Sequence, residues 1–198
     1  MLTNLKIATA RLHARAESAM PTLDELTSLD RYVRCLSDLH GFYAAWEPAV
    51  WATPGVSAVV PDGDARRKTP LLARDLRALG QPVDCLVRDG EAPTALRMSC
   101  GEALGALYVL EGATLGGRVI MRHIAEPLGL PVDAGLSFFH GYGERTGPMW
   151  SAFGCSLQRW ADAGGSQEAA VAGATSCFTA FESWLYSRNY TAIVVEYP

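Results

Sequence analysis

Ala103-Leu-Gly-Ala-Leu-Tyr-Val-Leu-Glu-Gly-Ala-Thr-Leu-Gly-Gly-Arg-Val-Ile120 is the stretch on which the reading of this chain turns. Ser99 followed by Glu102 forms a capping box just before it, and no proline intervenes until Pro127, so the spacing predicts one long helix. Yet Gly112, Gly116 and Gly117 stand in its middle. A glycine in a helix interior costs about 1 kcal/mol relative to alanine, so the three give up about 3 kcal/mol of local helix stability. Gly112 and Gly116, four residues apart, share a face and leave a strip without side chains. Close helix–helix packing is one use of such a strip. A ligand lying against the helix is another. A membrane dimer motif is a poor fit, because Glu111 and Arg118 interrupt the apolar run well short of the roughly 18 uncharged residues that a spanning helix needs.

Working outward, the N-terminal segment 4–19 reads as an amphipathic helix with Leu5, Ala8 and Leu12 on one face, ended by Pro21. His13 lies beside that face and Glu17 follows one turn later, where a carboxylate can accept a hydrogen bond from an imidazole nitrogen. A partly exposed histidine in a local ion pair is the plain interpretation. The alternative is an iron ligand oriented by an outer acceptor. A long helix is expected from Ser28 to Glu47, stopped by Pro48, with Tyr32, Leu36, Leu39, Phe42, Tyr43 and Trp46 as a core stripe. Residues 52–64 read as a loop, and Arg66, Arg67 and Lys68 as a solvated face. A helix opens at Thr69-Pro70 and ends at Gly80. An irregular stretch follows over 80–98.

Beyond Pro127 a loop carries Phe138-Phe139-His140-Gly141-Tyr142. Thr146-Gly147-Pro148 opens another helix, closed by Gly164 and Gly165, and Ser166 begins the last. The tail Thr191 to Pro198 suits a short extended segment or docking onto the body. No alternating β-pattern occurs, so the expected fold is all-α, in one domain spanning 1–198.

With 198 residues, 49% hydrophobic, and a net charge of −4 without a basic run, nucleic acid is an unsuitable partner and a small molecule a better one. Neither a membrane span nor a signal peptide is expected. Cys35, Cys85, Cys100, Cys155 and Cys177 are scattered and odd in number, as in a reduced, cytoplasmic protein. Phosphate-loop, nucleophile-elbow, zincin, EF-hand and dinucleotide fingerprints are absent, and His13, His40, His123 and His140 form no zinc-type cluster with the cysteines. What remains is one histidine on the first helix and a glycine-faced helix later.

That pairing resembles a known family. Leu5-Lys-Ile-Ala-Thr-Ala-Arg-Leu-His-Ala-Arg-Ala-Glu17, Leu39-His-Gly-Phe-Tyr-Ala-Ala-Trp-Glu47, Arg67-Lys68 with Asp75-Leu76, Leu110-Glu-Gly-Ala-Thr-Leu-Gly-Gly-Arg-Val-Ile120 and Phe178 to Glu182 are similar, in order, to helices of the biliverdin-producing heme oxygenases, closest to the bacterial, phytochrome-associated type. The resemblance implies a helical bundle with heme sandwiched between a proximal and a distal helix. It implies that His13 is the axial metal ligand, that Glu17 orients it, and that Lys6 pairs with a heme propionate, with Arg159 a candidate second cation. Gly112, Gly116 and Gly117 would form the distal wall, with Gly112, Ala113 and Gly116 nearest the chemistry. Heme b would be substrate and cofactor, converted with dioxygen and electrons from a ferredoxin or reductase into biliverdin, carbon monoxide and ferrous iron. A phytochrome receiving the biliverdin is the implied downstream partner.

One departure stands out. Many family members carry an aspartate after the first distal glycine, holding a water network that delivers a proton to the open heme face. This chain has Ala113 there. Glu111 points about 200° around the helix from Ala113, and His123 lies on the Gly116 face but two turns, about 10 Å, beyond it, so neither replaces the aspartate directly. Ordered water in the room left by alanine is one route. Ala113 is also what favours a rival function, a heme carrier or sensor without turnover. A helical scaffold without heme is the third possibility, and it leaves the costly glycines unexplained.

Overall fold

A computed structural model describes residues 1–90, 92 and 97–193, with side chains through Arg188, and among these residues there is no strand. The first helix, α1 (Leu2–Ala19), buries Leu5, Thr9, Ala16 and Ala19 at three- to seven-residue spacing. Met20 is forced into extended backbone by Pro21 and ends it. The second, α2 (Leu29–Ala52), buries the expected stripe of Tyr32, Leu36, Leu39, Phe42, Tyr43 and Trp46.

Pro48 does not stop α2; the helix runs through it to Ala52. An interior proline costs about 3 kcal/mol through its lost N–H and ring crowding. Val50 and Trp51 lie beyond it and are 0% and 8% exposed. Burying each contributes about 1.5–3 kcal/mol, enough to carry the helix past the defect.

The expected loop over 52–64 instead holds two single-turn helices, α3 (Val56–Val59) and α4 (Gly63–Arg66). Then comes α5 (Thr69–Ala78), with Pro70 in its first turn as the sequence predicts. Glu47 of α2 caps it by accepting from the backbone N–H of Lys68 and Thr69 and from the Thr69 hydroxyl, at 2.5, 2.9 and 2.6 Å. The solvated face expected at 66–68 is wrong at two of its three residues: Arg66 and Lys68 are 2% and 1% exposed. Their partners, described below, lie too far along the chain for local sequence to reveal.

The glycine-bearing helix is α6 (Cys100–Leu128), opened by the Ser99/Glu102 capping box and closed by left-handed Gly129 at φ 61°. It is long and apolar enough to cross a membrane, but half of its most apolar stretch is buried inside the fold, as suits a core helix. After it come α7 (Ser137–His140), α8 (Thr146–Asp162) and α9 (Gln167–Ile193). Thr191 to Ile193 are helical rather than extended, and 194–198 lie outside the described residues.

Two long helices, α1 and the first half of α6, pack along α9. Approach of α6 to α9 is backbone to backbone, since a Cβ on Gly105 would overlap the Ala170 carbonyl and one on Gly173 the Glu102 carbonyl. On the far side α7 is fixed by Asp75 of α5, whose carboxylate is fully buried and accepts the N–H groups of Gly135, Ser137 and Phe138 at 3.2, 2.9 and 2.7 Å. That holds α7 against the back of the second half of α6.

Candidate functional site

Two contacts bring α1 and the turn that follows it alongside α6. The Tyr108 hydroxyl faces that of Thr9, and fifteen residues further along each segment Asp24, just past α1, meets His123 Nε2 at 3.3 Å. The two segments therefore run in the same direction. His13, one turn past Thr9, is carried level with Gly112, one turn past Tyr108.

The faces between these contacts are open. A Cβ on Gly112 would meet only the Trp150 ring, at 4.0 Å, and one on Gly116 would meet nothing within 4 Å. Close helix packing therefore does not explain these two glycines, and their bare backbone borders free space. Gly117 is different. A Cβ there would lie 2.9 Å from the Phe139 carbonyl, so the structure brings Gly112 and Gly116 to the cleft and turns Gly117 to the back, against α7. Ala113 is exposed beside the strip, as are Leu115 and Val119, at 43% and 54%. Val119 continues into a depression of about 310 Å³, shared with Leu23, Arg122 and His123, at the far end.

Across the cleft, the His13 side chain is 56% exposed, its Nδ1 lies 3.4 Å from Glu17 Oε2, and its ring stands edge-on to Phe178 at 5.7 Å. With Nδ1 turned to the carboxylate, Nε2 is the nitrogen left for a ligand. Among the described residues no three His, Cys, Asp or Glu side chains gather into a metal site. A single imidazole facing bare backbone suits a metal that arrives with most of its ligands in a flat macrocycle. Lys6 is exposed on α1, two turns before His13 and within about 20° of its azimuth. Arg159 is exposed on α8, next to Gln158, which accepts from the Met1 amino group at the start of α1.

Residues 1–187 match the family model described as Heme oxygenase. The chain belongs to the heme oxygenase family. It is 32% identical over 158 residues to a heme oxygenase of Xanthomonas campestris pv. campestris, covering 79% of this chain and 89% of that one. Against heme oxygenase PigA of Pseudomonas aeruginosa the identity is 28% over 151 residues, covering 68% and 73%. Its fold is that of the NO- and CO-bound heme oxygenase of Neisseria meningitidis, with a TM-score of 0.79 at 21% identity over 94% of this chain and 90% of that one. The all-α heme-oxygenase-like bundle expected from the sequence is thereby established.

Two features of this heme oxygenase escaped the sequence reading. The Thr9–Tyr108 hydroxyl pair closes one end of the cleft, and its signal was available: each residue stands one turn before a singled-out one, Thr9 before His13 and Tyr108 before Gly112. Burial raises the Tyr108 pKa against the opposing pull of Thr9, so the hydroxyl stays a phenol at neutral pH. The other is the buried ionic cluster behind the strip, in which Glu111 receives Arg66 Nη1 at 2.7 Å and Lys68 Nζ at 2.6 Å. Burial pulls the Lys68 pKa down, with Glu111 opposing, while burial and then Glu111 push that of Tyr142 up. Tyr142 therefore stays protonated as a donor to Glu111.

Proposed function

We propose that the cleft between α1 and α6 is where this heme oxygenase binds and opens heme, and that the whole chain, 1–198, acts as one catalytic domain. The reaction converts heme, dioxygen and external electrons to biliverdin, carbon monoxide and ferrous iron. Bound heme is its own oxygen-activating centre, which leaves the protein to bind, orient, exclude water and move protons. The observation that carries this reading is the bare, unpacked Gly112/Gly116 strip, which begins one turn past Tyr108, the residue that meets Thr9 one turn before His13.

In this reading His13 Nε2 would hold the iron of heme b. Glu17, 3.4 Å from Nδ1, would hold the ring's tautomer and orientation. Lys6, supported by Arg159 and the Tyr108 hydroxyl at the same end of the cleft, receives the carboxylates of the substrate in charge-assisted bonds. Gly112 and Gly116 let backbone approach the ring closely, so most of its edge is screened from water and one bridge stays open. Ala113 supplies no acid. Protons would reach the open face through water in the space beside its methyl group. Leu115 and Val119 give the apolar ring the exposed hydrophobic surface it covers.

A carrier or sensor role has only Ala113 in its favour and is disfavoured by membership in an enzyme family along most of the chain. A ferredoxin or reductase as electron source, a phytochrome as recipient of biliverdin and a cytoplasmic setting complete the proposal. The test is hemin titration of the wild type and His13→Ala, followed by absorbance. Loss of the histidine-ligated heme spectrum in the variant, restored by added imidazole, is the expected result. An unchanged spectrum in His13→Ala would remove His13 from the site.

A further inference from the structure

A charged cluster sits directly behind the open strip. Glu111, the residue before Gly112, has its side chain 1% exposed. Its Oε1 accepts from Lys68 Nζ at 2.6 Å and Tyr142 OH at 2.8 Å, and its Oε2 from Arg66 Nη1 at 2.7 Å and Tyr142 OH at 2.9 Å. Arg66 spends its other donors on Asp62 and on the Met149 carbonyl of α8. One carboxylate thus joins α4, the lead-in to α5, the loop before α8 and α6.

Stability does not account for such a cluster. Burying ions costs several kcal/mol apiece, and an apolar replacement of equal volume is often neutral or stabilising. What directional bonds supply and packing does not is a fixed rotation of the helix that carries the carboxylate. Past Glu111, α6 presents Ala113, Leu115, Gly116, Arg118 and Val119 to the outside, so few side chains resist its turning. The Thr114 hydroxyl, bonded back to the Glu111 carbonyl at 2.7 Å, reinforces the same point. With Cα atoms about 2.3 Å from the axis, a 20° turn would shift the Gly112 backbone by about 0.8 Å. Misplacement on the scale of 1 Å can cost about a hundredfold in rate.

We propose that Glu111, held by Arg66, Lys68 and Tyr142, is a positioning residue for ring opening: it fixes the rotation of α6, and so which bridge of the heme the Gly112–Gly116 backbone leaves open. The inference rests on the reading of the α1–α6 cleft as the heme site. Every polar atom of the Glu111 carboxylate is occupied behind the helix, so its role is geometric and it does not itself deliver protons to the front.

The experiment compares the full-length wild type with Glu111→Gln, Tyr142→Phe and Glu111→Gln/Lys68→Met, each loaded with hemin. Three readouts are taken: hemin affinity, the heme-methyl proton NMR shifts of the cyanide-bound ferric protein, and the biliverdin isomers formed in one turnover. Glu111→Gln and Tyr142→Phe should keep hemin bound through His13, move the methyl shifts and turn a dominant isomer into a mixture. The double variant, with one stranded cation removed, should move back toward the wild-type pattern. Wild-type shifts and a wild-type isomer ratio in any hemin-binding single variant overturn the positioning role, even if that variant melts early. Should Glu111→Gln fail to fold, Tyr142→Phe, altered at the cluster's half-buried edge, decides alone. Wild-type protein that does not bind hemin through His13 overturns the cleft and this inference together, whereas normal wild-type turnover with silent variants overturns only the latter.

Discussion

Helix α6 uses the same residue in two opposite ways. In its first half, Gly105 is covered by the backbone of α9, so tightly that a Cβ would overlap the Ala170 carbonyl. In its second half, Gly112 and Gly116 carry the same local cost and have nothing pressed against them. The packing of the fold needs Gly105 to be a glycine and makes no use of Gly112 or Gly116. Even neighbours divide this way, since Gly117 turns to Phe139 while Gly116 turns to the cleft.

Alanine substitutions should separate the packed glycines from the open ones by sign. Gly105→Ala should cost about 3 kcal/mol, at the upper end of overpacking effects, because the obstructing atoms are backbone. A fall in urea midpoint without change in slope would register it. Gly117→Ala should cost about 2 kcal/mol, since the Phe139 carbonyl must give way; a neutral result would place Gly117 with the open strip. Ser99→Ala, at the cap of the packed half, should cost about 1 kcal/mol.

That cap also has a pH signature. The Ser99 backbone N–H, and secondarily its hydroxyl, hold the Glu102 carboxyl below its ordinary 4.5. A depressed carboxylate stabilises the fold above its unfolded pKa and loses that contribution as pH falls through the lower folded value. Acid titration of thermal stability should therefore show a smaller loss below about pH 4.5 in Ser99→Ala than in the wild type. Smallest and opposite in sign, Gly116→Ala should raise stability by about 0.5–1 kcal/mol, because the helix gains propensity and nothing is displaced. The same variant should weaken hemin binding, and a gain in both stability and affinity would mean that no ligand approaches that backbone.

Much of the fold was legible because it rests on local signals. Ser99 and Glu102 marked the start of α6, Pro70 that of α5, and the Tyr32 to Trp46 stripe the buried face of α2. The errors came where long-range contacts outweighed local ones: α2 passes Pro48 because Val50 and Trp51 are buried beyond it, and Arg66 and Lys68 are inside because Glu111, more than 40 residues away, receives them. The glycine strip was legible as a broken rule, yet local sequence could not divide Gly116 from Gly117. Only the position of Phe139 does that.

The most direct test of the central claim, that the open half of α6 and His13 form a heme-degrading site, is single-turnover absorbance of hemin-loaded protein with dioxygen and ascorbate, catalase being present to remove free peroxide. Loss of the Soret band with growth of biliverdin absorption is the predicted result and would establish that Ala113 is tolerated. A stable oxygen complex that never yields biliverdin would contradict the account and leave a heme-binding protein in its place.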